Sequence, residues 1–172
     1  MKSIVRFALF GAIGFGIGGI TIGMGLSVSM VVAGIGFAAM GALGGASLGL
    51  ALRRKVATLA LLGAIGFSTG ILAGLFIGGV IGGENLDIAM LLAFAVTGMI
   101  GGAALGLALR NWRKTIALAL AGVLGFGIGM MILMFIPLEF CQGNKFVLML
   151  NYIGIPGGAS IGATLGYLEK GT

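Results

Sequence analysis

Long stretches without a charged residue alternate with short charged segments along the whole chain. The charge-free stretches are 7–52, 56–83, 88–109, 115–138 and 146–168. A helix needs about 20 apolar residues to cross the hydrocarbon core of a bilayer, because each residue advances the helix by about 1.5 Å across about 30 Å. The first stretch is long enough for two such helices, with a turn in the segment 23–29. The pattern therefore predicts six transmembrane helices.

The overall composition agrees with this pattern and excludes an ordinary soluble domain. Of the 172 residues, 59% are hydrophobic and 8% are charged, whereas about 25% of the residues of a soluble domain are charged. The mean hydropathy is +1.23. A soluble chain this apolar has too few polar side chains to cover its surface. We therefore expect a single all-α integral membrane domain over 1–172, with no sizeable soluble part.

The basic residues fall almost entirely on one side of the predicted domain. Six spans place nine of the ten Lys and Arg residues on one side and only Lys145 on the other, together with Glu84, Asp87 and Glu139. Because Lys and Arg accumulate in short cytoplasmic loops, both termini are predicted to be cytoplasmic, in a bacterial inner membrane or, alternatively, a thylakoid membrane. Topology thus explains the net charge of +6, and no nucleic-acid partner is expected, since the chain has no soluble basic face.

Two glycine motifs each occur three times. The segments 11–18, 63–70 and 122–129 share G-x-x-G-F-x-x-G, and the segments 41–49, 98–106 and 154–162 share G-x-x-G-G-A-x-x-G. Each pair of motifs covers one helical hairpin, so successive hairpins enter the membrane in the same direction and form parallel repeats. The sequence predicts three tandem two-helix units, at approximately 1–53, 54–110 and 111–172. Three such units imply a pseudo-threefold bundle of six helices.

The glycine spacing favours close packing between helices. Glycine recurs every four residues in several predicted spans, which creates a flat groove along one helix face. Helix association in lipid depends on such close contact, because lipid tails compete equally for apolar side chains. We expect these grooves to hold the bundle together; alternatively, some face a partner protein, line a pore or cradle a flat ligand. The glycines predicted to pack are Gly14, Gly18, Gly41, Gly45, Gly49, Gly66, Gly70, Gly74, Gly98, Gly102, Gly106, Gly125, Gly129, Gly158 and Gly162.

One phenylalanine recurs in the first motif of every unit. Phe15, Phe67 and Phe126 occupy equivalent positions in the three predicted hairpins. They are expected either to fill core space opposite the glycines or to form an aromatic collar around the axis. The sequence alone does not decide whether they point inward or outward.

The sequence offers little for catalysis or coupled transport. No ionisable Asp, Glu, Lys, Arg or His lies within a predicted span, although proton and ion pathways through membranes use such side chains. The chain has no His, and a single cysteine, Cys141, forms neither an internal disulfide nor an iron–sulfur cluster. We therefore expect no enzymatic activity, no bound metal and no cofactor.

Three functions remain for a compact membrane domain of this kind. We favour an accessory or structural subunit of a larger membrane complex, which uses glycine-rich packing against other membrane protein subunits or forms a homo-oligomer among membrane lipids. The alternative is a passive channel or facilitator for a small solute, and a further alternative is a lipid- or pigment-binding scaffold. The cytoplasmic basic loops are expected to dock acidic lipid headgroups or a partner. These loop residues are Arg53, Arg54, Lys55, Arg110, Arg113 and Lys114.

Overall fold

The computed structural model describes residues 2–23, 30–135 and 145–171, which form six helices and no strand. The helices are α1 (Lys2–Gly23), α2 (Met30–Leu52), α3 (Val56–Gly82), α4 (Leu86–Ala108), α5 (Trp112–Met134) and α6 (Lys145–Leu168), and a 3₁₀ turn (Glu169–Gly171) follows α6. The prediction of an all-α protein is confirmed. Most of the predicted turn at 23–29 lies outside the described residues, and so does Cys141.

Four of the described helices are long and apolar enough to cross a membrane. The apolar segments are Gly34–Leu52, Val56–Gly82, Leu86–Ala108 and Trp112–Met134. Only 33–50% of the residues in their most apolar windows are buried inside the protein. Large apolar side chains such as Leu61, Phe76 and Leu124 point outward instead, with exposed fractions of 62%, 74% and 60%. Such a surface suits lipid, so the fold supports the predicted class of integral membrane protein.

Side-chain caps fix the starts of α4 and α5. The side-chain oxygen of Asn85 accepts a hydrogen bond from the backbone N–H of Ile88 at 3.2 Å, and that of Asn111 accepts one from Lys114 at 3.2 Å. Each cap satisfies one of the N–H groups that have no partner within the first turn of a helix. The helices therefore begin immediately after the two asparagines.

An arginine with a positive φ angle follows shortly after each of the α2 and α4 helices. The φ angle is 55° at Arg53 and 54° at Arg110, a conformation that glycine usually supplies at a helix end. The backbone N–H of Arg53 donates to the carbonyl of Leu50 at 3.0 Å, and that of Arg110 donates to the carbonyl of Leu107 at 2.9 Å. Although the chain has 36 glycines, these two helix ends carry arginine instead of glycine. The negative pole of the helix dipole attracts a cation there.

The six helices form a closed ring in the order of the sequence. Each helix packs against the next one, and α6 packs against α1. Phe15, Phe67 and Phe126 meet inside the ring, and their ring centroids are 5.0, 5.3 and 6.1 Å apart. All three side chains are 0% exposed, so they belong to the core rather than to the lipid-facing surface. The other large, fully buried side chains are Phe37, Met40, Leu48, Leu59, Leu105, Leu118, Ile161 and Leu165.

Candidate functional site

The glycines that the sequence marks for packing lie between helices, and every interface of the ring contains some of them. Gly14 and Gly18 lie between α1 and α2, Gly41, Gly45 and Gly49 between α2 and α3, Gly66, Gly70 and Gly74 between α3 and α4, Gly98, Gly102 and Gly106 between α4 and α5, Gly125 and Gly129 between α5 and α6, and Gly158 and Gly162 between α6 and α1. Each faces a residue of the neighbouring helix, so these glycines lie at the contacts between adjacent helices.

Several of these contacts leave no room for even one methyl group. A Cβ atom on Gly49 would lie 2.6 Å from the Cα atom of Val56, and real Cβ atoms essentially never approach another heavy atom within 3.0 Å. A Cβ atom on Gly45 would meet the carbonyl oxygen of Leu59. The obstacle is backbone in both cases, and backbone cannot rotate away as a side chain does. A substitution at these positions therefore requires the helices to separate.

The same glycine contact recurs at two interfaces and is displaced at a third. At two interfaces, the first glycine of a G-x-x-G-G-A-x-x-G motif faces the first glycine of the next G-x-x-G-F-x-x-G motif. These pairs are Gly41 with Gly63 and Gly98 with Gly122. Between α6 and α1, Gly158 rather than Gly154 faces Gly11. This displacement of four residues corresponds to about 6 Å along the helix at 1.5 Å per residue. The ring therefore closes with a step of about one helical turn between its last helix and its first.

A few glycines lie at the surface with no neighbour. An added Cβ atom at Gly34, Gly79, Gly83 or Gly127 would have no heavy atom of another residue within 4 Å. Gly34 lies on α2 and Gly127 on α5, and the other two lie at the end of α3 and just beyond it. In the part of the chain that the structure describes, none of the longer glycine rows opens outward toward a partner.

The three central phenylalanines contact one another inside the ring. Each ring contacts a glycine on the second helix of its own hairpin, in the pairs Phe15 with Gly44, Phe67 with Gly101 and Phe126 with Gly157. These glycines leave room for the rings, since an added Cβ atom would meet ring atoms at each of the three positions. A solute that moves along the axis would have to displace three rings in mutual contact. The alternative of a passive axial channel therefore requires a rearrangement of this cluster.

Several hydroxyl groups inside the described helices donate to backbone carbonyls. Thr97 is 0% exposed and donates to the carbonyl of Ala93 in its own helix at 2.7 Å. Ser160 donates to the carbonyl of Ala121 on the neighbouring helix at 2.9 Å. Among the described residues, no group of three His, Cys, Asp or Glu side chains is placed to hold a metal ion. These hydroxyls act in helix packing, through bonds of the kind common in membrane helices.

Two basic side chains tie the start of a hairpin to its end. The guanidinium of Arg6 in α1 donates to the carbonyl of Ala51 near the end of α2, at 3.0 Å. The ammonium of Lys55, just before α3, donates to the carbonyl of Ala108 at the end of α4, at 3.1 Å. Carbonyls in the last turn of a helix have no partner within the helix, and a cation there also interacts favourably with the helix dipole. Lys55, which the sequence assigns to a docking loop, is thus engaged inside its own hairpin.

An ion-pair cluster occupies the corresponding end of the third hairpin. The carboxylate of Glu169 contacts the ammonium of Lys114 through Oε1 and the guanidinium of Arg54 through Oε2, the latter at 2.9 Å. The side chains of Glu169 and Lys114 are 17% and 11% exposed, whereas that of Arg54 is 57% exposed. Sequence reasoning did not assign roles to Arg6 and Glu169. The available signal was that Glu169 is the one acidic residue on the basic side of the predicted topology.

An open cleft of about 610 Å³ lies beside this cluster, and we call it the basic cleft. Its lining residues come from α1, the end of α2, the following loop, the start of α5 and the final 3₁₀ turn. They are Ser3, Arg6, Phe7, Ala51, Leu52, Arg54, Lys114 and Glu169. Of the remaining predicted loop residues, Arg53, Arg110 and Arg113 are exposed at the surface. The described residues therefore bring part of the basic set into one cleft and leave the rest on the outside.

Comparison with known proteins identifies no relative. No family model, no curated protein and no solved structure matches the chain. The function therefore has to be inferred from the helix interfaces, the central rings and the basic end of the bundle.

Proposed function

We propose that this protein is a non-catalytic integral membrane protein that acts as an accessory or structural subunit of a larger membrane complex. The observation that carries the proposal is the closed interior. Phe15, Phe67 and Phe126 fill the axis, and the glycine rows are used between the helices of this chain. A rigid body of this kind offers its lipid-facing surface and its basic end for interaction. Glycine packing serves the proposed function by making that body compact.

We also propose that the six helices are three tandem parallel hairpins in a pseudo-threefold, glycine-packed bundle. Gly41 contacts Gly63, and the equivalent glycines of the next unit, Gly98 and Gly122, contact each other in the same way. This repeated contact supports equivalent units. The meeting of one phenylalanine from each unit at a common centre supports the axis. The two helices beyond the four apolar candidate spans, α1 and α6, complete the ring and would cross the membrane with the others.

The exposed part of the basic end is the proposed docking surface. Arg53, Arg110 and Arg113 are exposed, and the neighbouring Trp112 is 72% exposed. Exposed Arg and Lys beside Trp are typical of the boundary between lipid headgroups and water. We propose that these side chains dock acidic headgroups or an acidic surface of the partner, because positively charged segments next to a membrane are attracted to both.

The proposed orientation, with both termini in the cytoplasm of a bacterium or the stroma of a plastid, can be tested with the single native cysteine. In intact cells whose outer membrane has been permeabilised, a maleimide that does not cross the inner membrane is expected to label Cys141 without lysis. The reason is that Cys141 lies in the predicted loop opposite the basic side.

The matched variant carries Cys141→Ser together with Lys170→Cys and is expected to react only after the cells are lysed. Labelling of the second variant in intact cells, with protection of the first, would show the opposite orientation.

The proposed accessory role is tested by the native mass of the protein. After gentle extraction from its own membrane, native mass spectrometry is expected to show a stoichiometric complex with at least one different membrane protein. A triple variant, Arg53→Gln with Arg110→Gln and Arg113→Gln, removes three exposed charges without touching a helix interface. The triple variant is expected to be recovered without the partner protein. Its elution volume in gel filtration is expected to equal that of the wild-type protein after the wild-type complex has been dissociated.

Recovery of a homo-oligomer alone, with no second protein at stoichiometric amounts, would overturn the accessory role. The passive-facilitator alternative would then be tested next, by solute flux into liposomes that contain the purified protein.

A further inference from the structure

The basic cleft lies at the basic end of the bundle, and its lining includes residues from both sides of the contact between α1 and α6. Its wall includes Ser3 and Arg6 of α1 and Glu169 after α6, the two helices whose contact is displaced by about one turn. The displacement is seen in the pairing of Gly158, rather than Gly154, with Gly11. A step in a ring of packed helices leaves the end of one helix uncovered by its neighbour. The step therefore accounts for an opening at this interface.

A difference between the three sequence units enlarges the opening. Lys55 precedes Phe67 by twelve residues, and Lys114 precedes Phe126 by the same distance. The corresponding residue before Phe15 is Ser3, a much smaller side chain. Since Ser3 lines the cleft, the first unit leaves open the volume that a lysine side chain would fill.

The charges around the cleft favour an anion. Arg6, Arg54 and Lys114 contribute three positive charges to the wall and Glu169 contributes one negative charge, so the net charge of the lining is +2. Arg6 uses one guanidinium nitrogen on the carbonyl of Ala51, and a guanidinium carries five N–H donors in all. Cations that converge within a cleft attract oxyanions more strongly than isolated cations on an open surface do.

The cleft already holds one oxyanion, which is the carboxylate of Glu169. One carboxylate oxygen contacts Arg54 and the other contacts Lys114, so cations from two distant parts of the chain converge on a single group. A phosphate offers the same kind of oxygen with one more acceptor and a higher charge, and arginine forks suit it well. The lining also includes the apolar residues Phe7, Ala51 and Leu52.

We propose that the basic cleft binds the phosphate group of an anionic ligand, through Arg6, Arg54 and Lys114, in competition with the carboxylate of Glu169. The volume of about 610 Å³ accommodates a phosphate with an organic substituent. Two sources carry this chemistry, namely a free phosphate or phosphomonoester in the aqueous phase and the headgroup of an anionic phospholipid. The site does not depend on the proposed accessory role.

The experiment uses the full chain in nanodiscs of phosphatidylcholine at constant ionic strength. Inorganic phosphate is titrated and followed by phosphorus NMR and calorimetry, and saturable binding with one phosphate per chain is expected. In a second series, phosphatidylglycerol is mixed into the discs without added phosphate, and lipid retained per chain is counted by native mass spectrometry. Binding in the first series identifies an aqueous ligand, and binding only in the second series identifies a headgroup. Either result supports the site.

Three variants decide whether binding occurs in the cleft. Arg54→Gln changes a loop side chain that is 57% exposed, so folding is retained, and it is expected to weaken binding about tenfold. Glu169→Gln removes the competing carboxylate and is expected to strengthen binding by a similar factor. Lys170→Gln removes an equal charge from an exposed position that lies outside the cleft and outside the proposed docking surface, and it is expected to change the affinity less than about twofold.

The proposal is overturned if neither series shows saturable binding. Equal weakening by Arg54→Gln and Lys170→Gln would overturn it as well, because the attraction would then come from the charge of the whole surface. A decrease in affinity in Glu169→Gln would contradict the competition between the carboxylate and the phosphate. The melting temperature of each variant is measured alongside, so that a loss of binding is not confused with unfolding.

Discussion

Leucine in place of Gly45 or Gly102 is expected to destroy the folded bundle. A Cβ atom on either glycine would meet a backbone carbonyl oxygen, that of Leu59 or that of Leu118, and leucine adds three further carbons at the same place. Overpacking of a well-packed core costs about 1–3 kcal/mol when side chains can adjust. Here the obstacle is backbone, so the cost should exceed this range and approach the total stability of a domain, which is about 5–15 kcal/mol. The measurement is the yield of monodisperse protein in gel filtration after extraction.

Alanine at the same positions and leucine at an open glycine separate packing from other effects. Gly45→Ala and Gly102→Ala add only the Cβ atom and are expected to lower the melting temperature while leaving some folded protein. Gly127→Leu is the control, because no heavy atom lies near its Cβ position, and it is expected to fold normally. Normal yield and melting temperature for both leucine variants would contradict our account of the interfaces. An equal loss in Gly127→Leu would do so too.

The sequence predicted the helices well because the signals for them are local. Transfer of a charged side chain into hydrocarbon is unfavourable wherever it occurs in a span, so charge-free stretches mark the helices without any knowledge of their neighbours. The predicted loop around Glu84 and Asp87 overlaps the short connection between α3 and α4, and Asp87 lies in the first turn of α4. Asn85 caps α4 in this connection, and this cap depends on residues only three apart.

The neighbours of each glycine row could not be predicted in the same way. The α2 helix uses Gly41, Gly45 and Gly49 against α3, and it uses Gly44 against the ring of Phe15 in α1. Both faces of this helix carry glycine, so the sequence pattern fits either neighbour. The choice depends on how six helices close into a ring, which is a property of the whole bundle.

The basic end shows why the charged residues were only partly understood from the sequence. A run of basic residues beside a transmembrane helix indicates which side of the membrane the run lies on. It does not indicate which groups these side chains hydrogen-bond to. Arg6 and Ala51 are 45 residues apart in the sequence, and Arg54 and Glu169 are 115 apart. These contacts exist because α2 returns beside α1 and because α6 packs against α1. Glu169 is the one acidic residue on the predicted basic side, and this fact indicated that it pairs with basic residues. Which residues it pairs with depends on the packing of α6 against α1.

Alanine in place of Phe67 is expected to lower the free energy of unfolding by about 2–3 kcal/mol. Removal of a buried phenylalanine from a soluble core costs about 3–5 kcal/mol, which includes the transfer of the ring from water. In a membrane the unfolded helix keeps its ring in lipid, so the cavity and the lost ring contacts account for most of the cost. The centroid of Phe67 lies 5.0 Å from that of Phe15 and 5.3 Å from that of Phe126, and aromatic pairs contribute about 0.5–1.5 kcal/mol each. Reversible unfolding in mixed micelles with increasing dodecyl sulfate measures the difference.

The matched control lies on the same helix. Phe76 is 74% exposed, whereas Phe67 is 0% exposed, so Phe76→Ala is expected to cost no more than about 0.5 kcal/mol, as for other surface substitutions. Phe15→Ala and Phe126→Ala should resemble Phe67→Ala, because their rings are equally buried and belong to the same cluster. If Phe76→Ala destabilised the protein as much as Phe67→Ala, the loss would reflect the apolar surface in general. The central cluster would then not be the part of the core that holds the three hairpins together.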